Sequence, residues 1–320
     1  MMKPIAVRAR QIVLAATMLV ASPCLFAQQR PLRRSFVAPA EERYQVTLNL
    51  KAESHSVTTE TVAAQTYVTP VVRLAEVSLH WRVVRSIRSV QNDRSAAIEE
   101  MTTPASQQCA EVPPLAEKTD TALQSSLKDF CAFWLKNEIT RYTESSNGVL
   151  RDVTSSTGET GLPPLAETAP PLLSLWLKRA VRPNVILPEL RFEISATSQQ
   201  SFRPASDVLK NARGSETTEW LDAQGETPAA TLHVVQQLLW NAAPPAIVSR
   251  GEPRQLQTQK DESFFTDSLS TVSLQDGGLL HANRSTSRKT SLHVEAVPGL
   301  PQPPDFSSKL TLTVTIARLP

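Results

Sequence analysis

A long alternation of apolar and polar residues between Val77 and Val90 constrains the fold more than any other feature of the chain. Apolar side chains occupy every second position from Val77 to Val83, and Ile87 continues the series. A period of two residues is typical of a strand with one buried face. The strand would be more than twice as long as an average one, which predicts a large and strongly twisted antiparallel sheet.

The same period recurs towards both ends of the chain. It covers residues 44–50, 190–196 and 310–316, whereas residues 232–240 fit either a strand or a short helix. The sequence Asp276-Gly277-Gly278 lies between two apolar runs. It predicts a hairpin turn, because glycine adopts the positive φ angles that such turns require.

Two segments in the middle of the chain have the period of an amphipathic helix. The longer one is capped by Thr119 or Asp120 and ends near Gly148. The shorter one follows Pro171, which suits a first helical turn, and stops before Pro183. The apolar positions of the longer helix are Leu123, Leu127, Phe130, Cys131, Trp134, Leu135, Ile139 and Tyr142.

These elements predict an α+β fold, in which one long and one short amphipathic helix cover one face of a large curved antiparallel sheet. The fold would occupy residues 43–320, and the sequence leaves open a subdivision near residues 150–183. The pentapeptide at 113–117, Pro-Pro-Leu-Ala-Glu, recurs at 163–167. Whether this echo reflects duplication or chance stays open.

Residues 1–27 have the three-part pattern of a secretory signal peptide. A basic start precedes an apolar run at 12–21, and Ala27 supplies a small residue for cleavage. The apolar run is too short to span a bilayer, which requires about 20 residues. We therefore expect export to the periplasm or the extracellular space. A lipid anchor at Cys24 is the less favoured alternative, because Pro23 is rigid where lipoproteins carry a small flexible residue.

Residues 28–42 have no apolar period and predict a flexible basic leader. Removing residues 1–27 takes three basic residues from the total of 33 and none of the 31 acidic residues, so the mature chain is close to neutral. A near-neutral chain lacks the electrostatic footprint of a nucleic-acid-binding protein. No transmembrane span is predicted after signal cleavage.

No catalytic or cofactor motif is present. The chain has nine glycines and neither phosphate-binding glycine pattern, and it lacks GxSxG, HExxH and CxxC. Its five histidines are widely separated, so no metal site is predicted. The cluster of Asp261, Glu262 and Asp267 is the most suggestive set of carboxylates, although a solvated surface is its ordinary explanation. We expect a noncatalytic protein without a cofactor.

Cysteine and arginine side chains supply the remaining candidate sites. Cys109 and Cys131 are the two cysteines after residue 27, and they are candidates for one disulfide in an oxidising compartment. A buried free Cys131 is the alternative. Arg82 and Arg88 share the polar side of the long strand and are candidates for anion contacts, whereas Arg85 falls on its apolar side and would require a partner there.

The predicted architecture resembles, in outline only, the half-barrel folds of periplasmic lipoprotein carriers. The resemblance implies an exported cell-envelope protein that binds an apolar or amphipathic ligand between sheet and helices. Its groove candidates are Trp81 and Val83 on the strand and Leu127 and Trp134 on the helix. The alternative is a module for protein–protein interaction or assembly that uses an exposed sheet edge, with another envelope protein as partner.

Overall fold

The computed structural model describes residues 31–62, 65–105, 110–112, 131, 137–156, 181–202, 213–223, 228–242, 258–294 and 306–320. The strands of this described part form one antiparallel sheet. They are β1 (Ala40–Val62), β2 (Gln65–Val90), β3 (Ala96–Pro104), β4 (Ala110–Val112), β5 (Glu138–Glu144), β6 (Leu150–Ser155), β7 (Thr197–Phe202), β8 (Arg213–Asp222), β9 (Ala229–Ala242), β10 (Thr258–Ser273), β11 (Leu279–Val294) and β12 (Phe306–Leu319).

Strands that follow one another in the chain are mostly neighbours in the sheet. The order is β6-β5-β3-β2-β1-β12-β11-β10-β9-β8-β7, and β4 pairs with β2 beside the end of β3. The first and last strands therefore pair in the middle, with Arg43 opposite Leu319 and Leu48 opposite Val314. As a result, β6 and β7 form the two edges of the sheet in the described part.

The two ends of the sheet differ. The connections β2–β3, β5–β6 and β10–β11 lie at the end where β1 begins and β12 finishes, which we call the turn end. At the opposite end, β1 and β2 continue beyond their other neighbours as a paired hairpin. We call residues 57–62 and 65–70 of this hairpin the arm, and that end of the sheet the arm end.

The predicted alternation is confirmed in the central strands, because their apolar side chains share one buried face. In β1 these side chains run from Tyr44 to Leu50, and in β12 they include Val314 and Ile316. The opposite face of β1 carries Gln45, Thr47 and Asn49. The buried set in β2 consists of Val77, Leu79, Trp81, Val83 and Ile87. The predicted hairpin turn at Asp276-Gly277-Gly278 is also confirmed, since it joins β10 to β11.

The predicted α+β fold, with one long and one short helix covering one face, is wrong for the described part of the chain, whose regular elements are strands. The prediction is most clearly wrong at the C-terminal end of the long helix, because Ile139 and Tyr142 lie in β5. Ile139, Thr140 and Thr143 are β-branched and favour a strand, and β3 supplies the pairing partner. Pairing outside the segment thus overrides its helical pattern. Residues 190–196, predicted as a strand, precede β7 instead of forming it.

Several predictions fall outside the described residues and stay predictions. They are the signal peptide at 1–27 with cleavage at Ala27, the anchor at Cys24, Leu127 and Trp134 of the long helix, and the short helix before Pro183. In the described residues, no helix has the length and apolar character of a membrane span.

Candidate functional site

The inner face of the sheet is packed where the sequence predicts one wall of a groove. Trp81 and Val83 are 3% and 2% exposed, and they belong to one apolar cluster with strands β1 and β12. The same cluster also contains Cys131, which lies between β4 and β5 in the sequence, and Val181, which lies between β6 and β7. Where it is described, this face therefore has the character of a core.

A buried ionic network occupies the turn end of the same face. Arg85, which is 1% exposed, points inward from β2 and contacts three carboxylates. Its Nη1 lies 3.0 Å from Oε2 of Glu42, its Nε lies 3.8 Å from Oε2 of Glu100, and its Nη2 bonds to Glu144. Arg85 Nε also donates to the Tyr142 hydroxyl at 3.0 Å, and that hydroxyl donates to Glu100 at 2.7 Å. The inward arginine thus has the partners that its position requires.

Further arginines balance the charge of these carboxylates. Arg34 forms an ion pair with Glu42, and Arg182 lies 3.2 Å from Glu100. Arg318 Nη2 lies 3.8 Å from Glu42. The positive and negative charges of the network roughly cancel. The network therefore resembles a structural contact between segments more than a binding site for a charged ligand.

Burial and ion pairing have opposite effects on the pKa values of charged groups in this network. Burial disfavours the charged form of Glu42, but the guanidinium groups of Arg85, Arg34 and Arg318 outweigh it and lower the pKa of Glu42. Burial likewise disfavours charged Arg85, but Glu144 and the other acidic neighbours raise its pKa well above the ordinary value. Burial raises the pKa of Tyr44 to about 12. All of these groups therefore keep their usual protonation states at neutral pH.

Two extended segments close the turn end. Residues 31–39, which the sequence assigns to the leader, are held by the bonds Arg34 N to Ser146 O at 2.6 Å and Ser35 N to Asp276 O at 2.8 Å. Residues 181–196 are held by Arg284, whose guanidinium donates to the carbonyl oxygens of Arg182 and Asn184. Contacts from distant parts of the chain thus cover this end of the inner face.

The open depression beside this network has a mixed lining of charged and apolar side chains. Its volume is about 700 Å³, and its lining includes Glu41, Arg43 and Arg318 together with Leu319 and Pro320.

The predicted anion-contact residues lie on the outer face. Arg88 is exposed and bonds to Glu99 at 2.5 Å, and Arg141 bonds to the same carboxylate at 2.8 Å. Arg82 is exposed on the same strand. The structure therefore separates the two arginines from the buried Arg85.

The acidic cluster of β10 is divided by strand alternation. Glu262 faces inward and pairs with Arg288, whereas Asp267 faces outward and bonds to His233 at 3.0 Å. The two carboxylates therefore do not form a catalytic pair. No group of three or more metal-ligating side chains occurs among the described residues.

Cys131 is buried and is part of a disulfide, and the chain's other cysteines lie outside the described residues. Pairing with Cys109 stays a prediction.

The two edges of the sheet are poor templates for another strand. In β6, Asp152 has a φ of 53°, and the register of β6 against β5 shifts at this point. A bulge of this kind blunts an edge, as does the charge of Arg151. The β7 edge covers only Thr197–Phe202 and is exposed on both faces over its described side chains. Both edges are thus short or irregular.

The arm has a longer unpaired edge. Pairing of β1 with β12 ends at His55 opposite Ser307, whereas pairing of β1 with β2 continues to Val62 opposite Gln65. In the described part of the chain, residues 57–62 thus pair on one side only. Alternate backbone groups of a strand point to either side, so half of those in this segment point away from β2.

Prolines lie close in sequence to the strands that flank the arm. Pro303 and Pro304 stand shortly before β12, and Pro113 and Pro114 directly follow β4. Proline has no N–H to donate to a ladder.

The strand pattern did not predict this edge, because an edge depends on which strands are neighbours in the sheet. The partners of Arg85 had no local marker at all, because Glu42, Glu100 and Glu144 lie on three other strands.

Comparisons with known proteins do not assign a family. No family model matches the chain, and no curated protein does. A crystal structure of Pseudomonas aeruginosa OccK7 (OpdD) aligns with 8% identity and a TM-score of 0.22, over 88% of this chain and 100% of that chain. A structure of OccK2 (OpdF) from the same organism, in complex with glucuronate, aligns with 7% identity and a TM-score of 0.18, over 90% of this chain and 98% of that chain. Similarity at this level supports no inference about fold or function.

Proposed function

We propose that this chain is an exported, noncatalytic protein of the cell envelope that joins an assembly by adding its sheet to another polypeptide. The observation that carries the proposal is that, within the described part of the chain, residues 57–62 of β1 pair on one side only. An unpaired strand edge binds an extended segment through backbone hydrogen bonds, and this mode of recognition requires neither a cofactor nor a catalytic group. The basic, apolar and small-residue pattern of residues 1–27 supports the envelope location.

The rest of the molecule supports a scaffold for such an edge. The inner face is filled by apolar side chains and, at the turn end, by paired charges. A packed sheet holds the arm in one orientation, which lowers the entropic cost of binding. Because the β6 and β7 edges are short or irregular, they are less suited than the arm to pair with a strand of another polypeptide.

Hydrogen exchange tests the proposal directly. The protein is labelled in isolated native envelopes and, separately, after purification, and amide exchange is measured by mass spectrometry. We expect residues 57–62 to exchange more slowly in the envelope, since pairing with another strand satisfies their outward N–H groups. Residues 44–48, which pair on both sides, serve as the control and should be protected in both samples. Equal exchange of residues 57–62 in both samples would contradict the proposal.

A carrier of apolar ligands is the competing function. It requires space beside Trp81 and Val83, which the core cluster fills in the described part of the structure. Saturable binding of an apolar fluorescent probe to the folded protein, weakened by Trp81→Ala at unchanged thermal stability, would favour the carrier and count against assembly.

A further inference from the structure

A row of apolar side chains crosses the outer face of the sheet. Val84 of β2 stands opposite Met101 of β3, and Met101 stands opposite Ile139 of β5. Side chains of directly opposed residues lie next to each other on the same face. Met101 is 45% exposed and Ile139 is 37% exposed. This row therefore presents apolar surface to solvent on the side of the sheet that is turned away from the core.

Four arginines surround the row on the same face. Arg43 of β1 stands opposite Val84, and Arg82 precedes Val84 on the outer side of β2. On the other flank of the row, Arg88 and Arg141 bond to the same carboxylate. All four side chains are exposed. We call the apolar row and these four arginines the outer patch.

The neighbouring carboxylates do not neutralise the outer patch. Glu41 pairs with Arg43, and Glu99 is shared by Arg88 and Arg141. Two negative charges thus stand against four positive ones, which leaves an excess of two positive charges around the apolar row. The patch spans four strands, about 14 Å across the sheet, so a planar surface would meet several of its side chains at once.

We propose that the outer patch docks on an anionic lipid surface, with its arginines against the headgroups and its apolar row at the boundary with the acyl chains. Charge complementarity favours this occupant, because anionic lipids attract clustered arginines. A small soluble anion would engage the arginines alone and leave the apolar row in water, whereas binding to a membrane interface gains from both charge and apolar burial. This inference goes beyond the proposed function and does not depend on the arm.

Vesicle flotation tests the role of charge. The purified protein is mixed at low ionic strength with vesicles of phosphatidylcholine alone, or with vesicles of equal parts phosphatidylcholine and phosphatidylglycerol. We expect saturable binding to the anionic vesicles only, and its loss at high salt because ions screen the attraction. Arg82→Gln combined with Arg141→Gln should weaken this binding by about 25-fold, at about fivefold for each charge removed. Glu99 keeps Arg88 as its partner in this variant.

Lys289→Gln combined with Lys309→Gln is the matched control. These two exposed lysines stand opposite each other on the outer face of β11 and β12. The control therefore removes the same net charge from another part of the same face, and it should bind anionic vesicles nearly as the wild type does. Equal weakening in the two double variants would overturn the inference, because net charge alone would then explain the binding. Absence of binding to anionic vesicles would overturn it as well.

Met101→Ser tests the apolar row at constant charge. We expect weaker binding to anionic vesicles, because less apolar surface leaves water. Leu269→Ser is the control at an exposed apolar position on the outer face of β10, and it should bind as the wild type does. Thermal unfolding of each variant separates a binding defect from a folding defect. Unchanged binding of Met101→Ser would overturn the placement of the row at the acyl boundary.

Hydroxyl-radical footprinting distinguishes a lipid surface from a protein partner. Oxidation of Met101 is compared in isolated native envelopes, in the purified protein and in the purified protein with anionic vesicles. We expect Met101 to be protected in the envelopes and the vesicles to reproduce that protection. Protection in envelopes that anionic vesicles do not reproduce would assign the outer patch to a protein partner and overturn the inference. Equal oxidation in all three samples would also overturn it.

Discussion

The turn end and the arm end of the sheet are finished in different ways. At the turn end, carboxylates and arginines from different strands meet in a buried network, and segments 31–39 and 181–196 cover it. At the arm end, β1 and β2 extend beyond the described parts of their neighbours and pair with each other. In the described part of the chain, one end is closed by contacts between distant segments and the other by a local hairpin.

This difference separates stability from binding. A buried ion network is costly to damage because each remaining charge loses its partner. A hairpin that pairs only with itself in the described structure contributes few long-range contacts to the sheet. We therefore expect substitutions at the turn end to act on unfolding and those in the arm to act on association.

Arg85→Met should have the largest effect on stability. The substitution removes the cation shared by Glu42, Glu100 and Glu144, and breaking a buried ion pair on one side costs about 3–5 kcal/mol. Denaturant unfolding of the purified protein measures the loss. Arg82→Met on the exposed face of the same strand is the control and should change the unfolding free energy by less than about 0.5 kcal/mol. Similar losses in the two variants would mean that the network does not stabilise the turn end.

Gly148→Ala should have the next largest effect. Gly148 has a φ of 81°, and an added Cβ would overlap the carbonyl oxygen of Val185 in the covering segment. Strain of this kind costs about 1–3 kcal/mol. Asp152→Gly, at a positive-φ position in the next strand, is the matched control and should be neutral or slightly stabilising. Thermal unfolding distinguishes the variants. An unchanged melting temperature for Gly148→Ala would show that the covering segment moves aside without loss of stability.

The ionisation of Glu42 should contribute to the pH dependence of stability. Because the pKa of Glu42 is lower in the folded protein than its ordinary value of 4.5, its ionised form stabilises the fold at pH above that value. This contribution is lost as the pH falls from about 4.5 through the lower pKa of the folded state. Glu42→Gln should be less stable at neutral pH, and its difference from wild type should narrow as the pH falls. Unfolding curves across this range test the expectation, and a constant difference would assign the acid sensitivity to other groups.

Removal of the arm should have the smallest effect on stability. Replacing residues 57–70 with Asn-Gly gives β1 and β2 a short hairpin turn. We expect the unfolding free energy to change by less than about 1 kcal/mol, as for changes outside the core, while association with the partner polypeptide is lost. Unfolding and sedimentation are measured on the same variant. A loss as large as that of Arg85→Met would show that the arm belongs to the folding core.

Part of the candidate site could be predicted from the sequence. The alternation predicts that Arg85 lies on the apolar side of its strand and requires a charged partner there. It does not identify the partners, which lie on β1, β3 and β5. No spacing in the chain connects these strands before the sheet order is known. The arm escaped prediction for a similar reason, because an edge is defined by where neighbouring strands stop.

The sequence by itself determined where the chain alternates and which residues turn or interrupt it. The inward faces of β1, β2 and β12 and the turn at Gly277 follow from residues close together in the chain. Only the tertiary structure decided that β1 pairs with β12 and that Ile139 and Tyr142 lie in a strand. The physical reason is that side-chain period and backbone restriction are local properties, whereas hydrogen-bond partners and charge partners come from segments that only the folded sheet brings together.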